Sequence, residues 1–389
     1  MPPPVAPPVH RRYAMKHMLR RTAAFALAAI VLAFTANIAS ADGPGFKTIS
    51  QDFNGLLFGL NVSSGDELLV AEGGNGAVNL DPDGGEKTLL ASLPGISDVI
   101  QVGRREYLAL TGEGDPSDPN AESLFRIKNG TVAKIADLGA FEEAVDPARD
   151  DVESNPFDLA KLSRNKTLVA DAAGNSVLVV DKNGSIDWVA TLPQHDIPTQ
   201  PIKDVAGCPL GPPDICGLPD IFNADPVSTT VAVGPDGAIY VGELTGFPAS
   251  PGQSRIWRIE RGELHVRCGA DPECTQVDAG SFTSIIDIQF GEDGTAYVVE
   301  IDENSWLAAE FGLGVGGTVN ACRTHGDEDD DDEGVAWSCE EIATGLPFPL
   351  AVAIDDESVY VTLAHGFEGP FEVAVLTDGD GDGEDEDDD

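Results

Sequence analysis

Four carboxylates occupy the same position in a repeated sequence pattern. In "GPDGAIYVGELTG" (234–246) and "GEDGTAYVVEID" (291–302), a turn and a short apolar strand are followed by a glutamate. The third residue after the one that opens the strand is a carboxylate in four of the repeated units. These residues are Glu72, Asp171, Glu243 and Glu300. Converging carboxylate oxygens favour a hard cation such as Ca²⁺, and they raise one another's pKa when no cation is bound. The four residues are therefore candidate metal ligands, and Ca²⁺ is the candidate cofactor.

A structural interpretation of these carboxylates competes with the chemical one. An Asp or Glu that follows a strand can accept backbone N–H groups in the next turn. At any single position this local role is the stronger interpretation, whereas the recurrence of the pattern favours a polar binding site. Both interpretations stay open on the sequence alone.

The pattern recurs often enough to predict the fold. The residues that open the aligned strand give six units, at Leu69, Tyr107, Leu168, Tyr240, Tyr297 and Tyr360. Each unit contains an apolar stretch, a turn, the aligned strand and usually a second hairpin, as in "SVLVVDKNGSIDWVATL" (176–192). Four short antiparallel strands repeated in this way are the plan of a β-propeller blade. We therefore predict an all-β, six-bladed propeller of four-stranded blades over residues 42–377; a solenoid and a pair of sandwiches are the alternatives.

Two distant segments fit together in this prediction. The sixth unit ends after one outer strand, "FEVAVLT" (371–377), while "FKTISQDF" (46–53) stands alone near the N-terminus. We predict that the N-terminal strand completes the last blade and closes the ring, because closure removes the sheet edges that an open array would expose. Helix is expected over 137–146, as one or two turns.

The predicted topology gives the polar residues a common location. In a blade, the start of the innermost strand and the end of the second strand meet at one face beside the central channel. The starts of innermost strands place Asp98, Ser228 and Thr283 near this channel mouth. The candidate binding residues there are Glu72, Asn155, Asp158, Asp171, Asp225, Glu243, Asp287 and Glu300.

No catalytic residues are predicted. After residue 41 the histidines are His195, His265, His325 and His365, and none has a Ser or Cys partner motif. Acyl transfer by a catalytic triad is therefore unsupported. His365 is the one candidate general base, because it is close to the predicted mouth; a solvated loop histidine is the alternative.

The first 41 residues have the composition of an export signal. From Met15, basic residues are followed by the apolar run "AAFALAAIVLAFTA" (23–36) and by "ASA" (39–41). This order is typical of a signal peptide, with cleavage expected before Asp42. The apolar run is short for a membrane span, so an uncleaved anchor is the alternative. We predict an N-terminal extension and signal peptide over 1–41, and a secreted or periplasmic protein without a membrane span after cleavage.

The rest of the chain is strongly acidic. The formal net charge is −44, and all 67 Asp and Glu residues follow residue 41. Such a surface disfavours nucleic acid and anionic lipid as partners and stays soluble in a salty medium. We predict a monomer from a halophilic or marine source, with a small molecule or a protein as its partner. The tail 378–389 opens like a calcium loop but lacks the final Glu, so we predict a disordered acidic tail.

The six cysteines fall into three local couples. These are Cys208 with Cys216, Cys268 with Cys274 and Cys322 with Cys339. In an exported chain such cysteines indicate disulfides, and we predict pairing within each couple, with other connectivities as alternatives. A zinc site is a further alternative, but the chain has no C-x-x-C and no His at ligand spacing. The predicted bonds staple loops, including the base of the acidic run "DEDDDDE" (327–333).

Several segments resemble a family of exported bacterial proteins. They are "ESNPFDLAKL" (153–162), "TLVADAAGNSVLVVD" (167–181), "STTVAVGPDGAIYVGELTGFP" (228–248) and "SFTSIIDIQFGEDGTAYVVEI" (281–301). Together they look like the ScyD/ScyE family, named for products encoded with the pathway to the sunscreen pigment scytonemin, and the turns also resemble NHL and gluconolactonase-type propellers. The resemblance implies a propeller and export. It carries over no catalytic residues, and the disulfide-like inserts and acidic runs depart from the family pattern.

Three functions are compatible with these observations. The first is a secreted or periplasmic propeller that binds a ligand or partner at its channel mouth, as an accessory to scytonemin-like secondary-metabolite biosynthesis. The second is a metal-dependent hydrolase or lactonase of the gluconolactonase type. The third is an acidic surface interaction module. Propellers perform all three roles, so the choice depends on the site and not on the fold.

Overall fold

The chain forms an all-β, six-bladed propeller, as predicted. A computed structural model describes residues 45–277, 279–325, 336–356, 358–366 and 369–377, with only the backbone of residues 324 and 325. The predicted signal segment, the acidic run 327–333 and the acidic tail lie outside the described residues.

The first three blades follow one another along the chain. After β1 (Phe46–Ser50), blade 1 contains β2 (Leu57–Val62), β3 (Leu68–Glu72), β4 (Gly76–Leu80) and β5 (Lys87–Ser92). Blade 2 contains β6 (Ile96–Gly103), β7 (Glu106–Thr111), β8 (Ser123–Lys128) and β9 (Thr131–Asp137). Blade 3 contains β10 (Pro156–Ser163), β11 (Lys166–Asp171), β12 (Ser176–Asp181) and β13 (Ile186–Thr191).

A hairpin of β14 (His195–Pro198) and β15 (Ile221–Ala224) separates blades 3 and 4. Blade 4 contains β16 (Ser228–Val233), β17 (Ile239–Glu243), β18 (Ile256–Ile259) and β20 (Cys274–Gln276). Between β18 and β20, the short strand β19 (Val266–Arg267) pairs with the outer strand of blade 3. Blade 5 contains β21 (Ile285–Phe290), β22 (Ala296–Glu300), β23 (Gly317–His325) and β24 (Ala336–Leu346). Blade 6 contains β25 (Ala351–Asp355), β26 (Ser358–Ala364), β27 (Phe371–Leu376) and β1.

Helices are few and short in the described residues. They are α1 (Leu138–Val145), α2 (Gln200–Val205), α3 (Pro213–Cys216) and α4 (Trp306–Glu310). The predicted helix over 137–146 is confirmed by α1, where Asp137 accepts the N–H of Ala140 at 3.0 Å and caps the first turn. The other three lie in loops between strands and were not predicted. None of these four helices has the length and apolar character needed to cross a membrane.

Local backbone chemistry determines the hairpin turns. Between β8 and β9, Asn129 and Gly130 have φ values of 50° and 77°. Two consecutive positive φ angles match the twist of the strands, and Asn-Gly tolerates them best. Between β12 and β13, Gly184 has a φ of 88°, and a Cβ there would lie 1.9 Å from the carbonyl oxygen of Ile135 in blade 2. Glycine is therefore needed there for the turn and for the contact between blades.

Three disulfides join the predicted couples. Cys208 bonds to Cys216, Cys268 to Cys274 and Cys322 to Cys339. Cys322 and Cys339 lie directly opposite each other in the β23–β24 ladder, so their bond clips that hairpin. Pairing within each couple is confirmed, and each bond closes a local loop. The bond between Cys268 and Cys274 also joins the end of β19, which pairs with blade 3, to the start of β20 in blade 4.

The N-terminal strand closes the ring, as predicted. β1 pairs antiparallel with β27, with Phe46 opposite Leu376 and Thr48 opposite Ala374. Side chains reinforce this pairing at Glu372, which is 2% exposed. Its carboxylate accepts hydrogen bonds from Thr48 Oγ1 at 2.8 Å and from Gln51 Nε2 at 3.0 Å, and contacts His365 Nε2 at 2.6 Å. The closing segment is thus held by backbone pairing and by one buried carboxylate.

Acid should loosen this closure. Burial alone would raise the pKa of Glu372, but the bonds from His365, Gln51 and Thr48 outweigh it and lower that pKa below its ordinary value. Because the pKa of Glu372 is lower in the folded protein than in the unfolded chain, its ionised carboxylate stabilises the fold fully at pH values above the unfolded-state pKa of about 4.3. This stabilisation is lost as the pH falls through the folded-state pKa. We expect the Glu372→Gln variant to unfold at a lower temperature than the wild type at pH 7, with the difference shrinking below about pH 4. Calorimetry at both pH values tests this, and a difference that does not depend on pH would contradict it.

Side chains of the innermost strands join neighbouring blades from blade 1 to blade 6. Each innermost strand is a sheet edge, so the N–H groups that point away from its own sheet lack a ladder partner. The neighbouring blade accepts these N–H groups through side-chain oxygens. The four bonds of this kind are Asp98 to Leu159 (3.1 Å), Asp158 to Val231 (2.7 Å), Thr230 to Ile288 (3.0 Å) and Asp287 to Val352 (2.8 Å).

Blade 1 joins this series through an amide. Asn61 Nδ2 donates to Asp98 Oδ1 at 2.9 Å and to the carbonyl oxygen of Val99 at 3.3 Å. Gly59 in the same strand leaves room for the carboxyl group, because a Cβ there would lie 2.2 Å from Asp98 Oδ1. We call Asn61, Asp98, Asp158, Thr230 and Asp287 the inter-blade belt.

Hydrogen-bond geometry favours a proton on the belt carboxyls. Thr230 Oγ1 lies 2.9 Å from Asp158 Oδ2 and 3.2 Å from Asp287 Oδ1, yet the hydroxyl has only one proton to donate. The second contact becomes a hydrogen bond when one of the two carboxyls is protonated. Burial raises the pKa of Asp158 to about 6, and burial with the Asp158 charge raises the pKa of Asp98 and Asp287 well above the ordinary value.

Replacing Asp287 tests this assignment. An amide in Asp287→Asn still accepts the Val352 N–H and donates to Thr230, as a protonated carboxyl does, so we expect nearly unchanged stability at pH 7. A raised folded-state pKa means that the wild type loses stability as the pH rises from about 4 through that pKa, and the Asn variant should lose less. Asp287→Ala leaves buried groups unpaired and should lower the free energy of unfolding by about 1–3 kcal/mol. Denaturant titrations at pH 5 and 8 measure all three; an Asn variant as unstable as the Ala variant would contradict the protonated form.

Candidate functional site at the channel mouth

The four strand-end carboxylates lie opposite the starts of the innermost strands. The paired residues are Leu57 and Glu72, Pro156 and Asp171, Ser228 and Glu243, and Ile285 and Glu300. All four side chains are buried. They therefore occupy equivalent positions at the same end of blades 1, 3, 4 and 5.

Three of these carboxylates hold the loop that leads into their own blade. Glu72 accepts the N–H of Asn54, Asp171 accepts the N–H of Asn155 at 2.7 Å, and Glu300 accepts the N–H of Thr283. Side-chain donors complete each set: Asn75 to Glu72 (3.1 Å), Ser154 to Asp171 (2.7 Å) and Asn320 to Glu300 (2.8 Å). No hydrogen bond joins any two of the four carboxylates. Local bonds of this kind are what the structural interpretation of the sequence pattern describes.

The other predicted mouth residues occupy different environments. Asp158 and Asp287 belong to the inter-blade belt, with Asp98. Asn155 Oδ1 accepts the N–H of Glu113 at 2.9 Å, and Asp225 accepts a hydrogen bond from Gln194. Among the described residues, no group of three or more His, Cys, Asp or Glu side chains is arranged to hold a metal ion. A shared Ca²⁺ site at the mouth stays a prediction.

Glu243 differs from the other three carboxylates because it has a histidine beside it. Its Oε2 accepts the indole N–H of Trp257 at 2.9 Å. Its Oε1 lies 3.4 Å from His195 Nε2 and 3.9 Å from Arg255 Nε, and neither Oε1 nor His195 Nε2 has a hydrogen-bond partner among the described residues. Burial raises the pKa of Glu243 to about 8, and burial with the nearby Arg255 charge lowers the pKa of His195 to about 4. At neutral pH a protonated Glu243 therefore faces a neutral imidazole that can accept its proton.

Conservative replacement of Glu243 tests this protonation state. In Glu243→Gln the amide keeps an acceptor for Trp257 and offers a donor to His195, so we expect the same unfolding free energy as the wild type at pH 6. As the pH rises from 6 toward 8 the wild type should lose more stability than the variant, because the wild type carries one more carboxyl with a raised pKa. Thermal unfolding followed by circular dichroism between pH 6 and 9 measures the difference. Parallel pH curves for the two proteins would contradict the assignment.

The most conspicuous polar group at the mouth is a glutamate on α1. Glu142 is 1% exposed, and neither of its carboxylate oxygens has a hydrogen-bond partner among the described residues. Burial raises its pKa to about 8, helped by the charges of Asp171, Asp146 and Asp150. A buried carboxyl without partners is costly, by about 1–3 kcal/mol for each unmade hydrogen bond, so its presence in a folded protein calls for an explanation such as a bound ion.

Several neighbours of Glu142 also have raised pKa values. Burial together with the charges of Asp171 and Glu113 raises the pKa of Glu122 to about 7. Burial raises the pKa of Asp150 to about 6 against a hydrogen bond from Asn175, and it also raises that of Asp171. We call Glu122, Glu142, Asp150 and Asp171 the mouth cluster. It lies between blades 2 and 3, and perturbed carboxyls gathered in this way are typical of functional sites.

Sequence reasoning found one member of the mouth cluster and missed the others. Asp171 was predicted from the repeat. Glu142 lies in the stretch predicted as a helix, where "FEEAV" (141–145) has the composition of a solvated acidic surface. The available signal was the helix period, since Leu138 and Glu142, four residues apart, are both buried. His195 gave no signal, because its partner Glu243 is 48 residues away in sequence.

Comparison with known proteins identifies the fold. No family model matches the chain, and no curated protein matches it either. Solved structures do match. The PQQ-bound aldose sugar dehydrogenase from Streptomyces coelicolor is 12% identical, with 87% of this chain and 99% of that chain covered and a TM-score of 0.50. The PQQ domain of pyranose dehydrogenase from Coprinopsis cinerea is 10% identical, with 89% and 98% covered and a TM-score of 0.51.

A gluconolactonase from Xanthomonas campestris is also similar. It is 12% identical, with 86% of this chain and 89% of that chain covered and a TM-score of 0.47. At 10–12% identity, the likeness to the two dehydrogenase structures establishes a shared fold and nothing about activity. The resemblance to the ScyD/ScyE family stays a prediction, because none of these comparisons bears on it.

Proposed function

We propose that this protein is an exported propeller that binds a cationic group of a ligand or partner at the mouth cluster. The observation that carries the proposal is Glu142, a buried carboxyl whose two oxygens lack partners beside Asp171. A bound cation stabilises the ionised form of such carboxyls and donates the missing hydrogen bonds. The disulfides and the predicted signal peptide support export. The role we propose for this binding is accessory to scytonemin-like secondary-metabolite biosynthesis, supported by the segments that resemble the ScyD/ScyE family.

The chemistry of the cluster favours an ammonium or guanidinium group. These groups donate several hydrogen bonds to carboxylates, whereas Ca²⁺ requires six to eight oxygen ligands. The described carboxyls do not form a ready-made metal group. Because the pKa values of Glu142 and Glu122 are raised to about 8 and 7, binding of a cation near pH 7 should also release protons.

Calorimetric titration tests the proposal. Spermidine, a small polyamine, and Ca²⁺ are titrated separately into the wild type at pH 7, in two buffers with different ionisation enthalpies. We expect spermidine to bind with a heat that depends on the buffer, which reports proton release. Glu142→Gln should bind it at least about tenfold more weakly, because one charge-assisted contact is lost.

The matched control is Glu143→Gln. Glu143 is the next residue of α1 and is exposed, so the variant makes the same Glu-to-Gln replacement on the same helix but outside the cluster. We expect it to bind like the wild type. Absence of binding of both cations at millimolar concentrations, or equal weakening in the two variants, would overturn the proposal.

The metal-dependent lactonase stays the alternative function. It needs a metal held by Glu72, Asp171, Glu243 and Glu300, three of which hold the leading loops of their own blades. Turnover of lactones by the wild type that is abolished by a chelator and restored by Ca²⁺ would favour this alternative over simple binding. The acidic surface interaction module is a third prediction. A partner that binds the wild type and Glu142→Gln equally well would support it.

A further inference from the structure

A cavity with a basic rim lies on the face of the propeller opposite the mouth. It has a volume of about 480 Å³ and lies between blades 2 and 3. The turns between β6 and β7, β10 and β11, and β12 and β13 form its edge, and strand direction places all three at the end of the blades away from Asp171. The cavity is therefore separate from the mouth cluster and does not depend on the proposed function.

The charges around this cavity oppose those of the rest of the protein. Four basic residues line it, Arg126, Arg164, Lys166 and Lys182, in a chain with only 23 Lys and Arg and a net charge of −44. The lining carboxylates are Glu106 and Asp181. A local surplus of positive charge on a strongly acidic protein creates an attractive potential for anions at that one place.

Both lining carboxylates already have partners. Glu106 lies 2.7 Å from Lys128 Nζ and 3.3 Å from Arg126 Nε, and the hydrogen bond from Lys128 lowers its pKa. Asp181 accepts the N–H of Asn183 at 2.7 Å and that of Ser185 at 3.1 Å, which lowers its pKa and stabilises the turn. Both carboxylates stay charged, so the rim has four basic and two acidic side chains and a net surplus of positive charge.

Three basic residues of the rim consequently lack an ion pair. Within the described part of the chain, Arg164, Lys166 and Lys182 make no salt bridge to a carboxylate. The charge of Lys166 acts on the carboxylate of Asp187, but the direct partner of that carboxylate is His265, at 2.7 Å. All three are exposed, so they can reach a ligand without disturbing the core.

Arg126 fixes the geometry of the cavity. Its Nη2 donates to the carbonyl oxygen of Lys182 at 2.8 Å, which connects blade 2 to the β12–β13 turn of blade 3. Its Nε is buried and lacks a hydrogen bond, although Glu106 lies within ion-pair distance. The inner wall is lined by apolar side chains, of which Val102 and Ile135 of blade 2 are partly exposed while Leu108, Leu124 and Val180 behind the wall are buried. The cavity thus combines an apolar floor with a positively charged rim.

We propose that this cavity binds a small organic phosphate monoester with an apolar body. The volume falls within the range of about 300–1,000 Å³ that is typical of small-molecule sites. A dianionic phosphate matches three unpaired cations, and the planar guanidinium of Arg164 can form two parallel bonds to phosphate oxygens. The apolar floor contributes by burying the body of the ester. The two parts of the site thus recognise the two parts of one ligand.

Phenyl phosphate is the probe for this site. It is titrated into the full chain and followed by calorimetry, with inorganic phosphate and phenol as the charge-only and ring-only comparisons. We expect phenyl phosphate to bind more tightly than inorganic phosphate, and phenol to bind least. Arg164→Gln and Lys182→Gln should each weaken phenyl phosphate about tenfold, the value of one charge-assisted hydrogen bond, at an unchanged melting temperature.

The matched control is Lys161→Gln, an exposed lysine on β10 that does not line the cavity. It changes the net charge by the same amount, so we expect it to bind phenyl phosphate like the wild type. Equal affinities for phenyl phosphate and inorganic phosphate would overturn the assignment of an ester with an apolar body. No binding of phenyl phosphate at millimolar concentrations, or the same weakening in the control as in the rim variants, would overturn the site itself.

Discussion

The unpaired N–H groups of the innermost strands are the constraint on which the rest of the structure depends. An edge strand leaves every second N–H without a ladder partner, and six such edges surround the channel. The inter-blade belt satisfies one of these groups on each of four innermost strands, in blades 3 to 6, with side chains from the neighbouring blade. Hydroxyl groups satisfy carbonyl oxygens in the same way. Ser97 donates to the carbonyl oxygen of Pro156, and Thr229 to that of Ile285, in each case in the next blade. Closure of the ring is thus a property of side chains at the centre as well as of β1 at the rim.

The same logic separates structural carboxylates from functional ones. Glu72, Asp171 and Glu300 accept N–H groups from the loops that lead into their blades, so their burial is matched by hydrogen bonds. Glu142 has no such partners, and the carboxyls around it have raised pKa values. On the opposite face the pattern is inverted, because basic residues there lack carboxylate partners. Among the described residues, an unpaired carboxyl at the mouth and unpaired cations on the opposite face give the propeller two chemically distinct surfaces.

Much of the fold could be predicted from local sequence chemistry. Asn129 and Gly130 indicate a tight turn, because two adjacent residues determine its backbone conformation. The isolated strand at 46–50 indicates ring closure, because the last blade lacks one strand. The environment of Asp158 and Asp287 could not be read in this way. The register shifts between Pro156 and Asp158, so Asp171 lies opposite Pro156 while Asp158 contributes to the belt. The same shift between Ile285 and Asp287 places Glu300 opposite Ile285 and leaves Asp287 to the belt. A one-residue bulge leaves no mark in an alternating apolar pattern. The pairing of His195 with Glu243 likewise depends on how a long insertion folds back.

Amide hydrogen exchange tests the central claim most directly. The N–H groups of Leu159, Val231, Ile288 and Val352 bond to belt side chains and not to a neighbouring strand. If the belt holds the blades together, these amides should exchange as slowly as that of Val169 in the middle of the blade 3 sheet, because all of them open only on global unfolding. Exchange as fast as that of the turn residue Gly130, under conditions where Val169 stays protected, would show that the belt bonds do not hold the ring and would contradict the account.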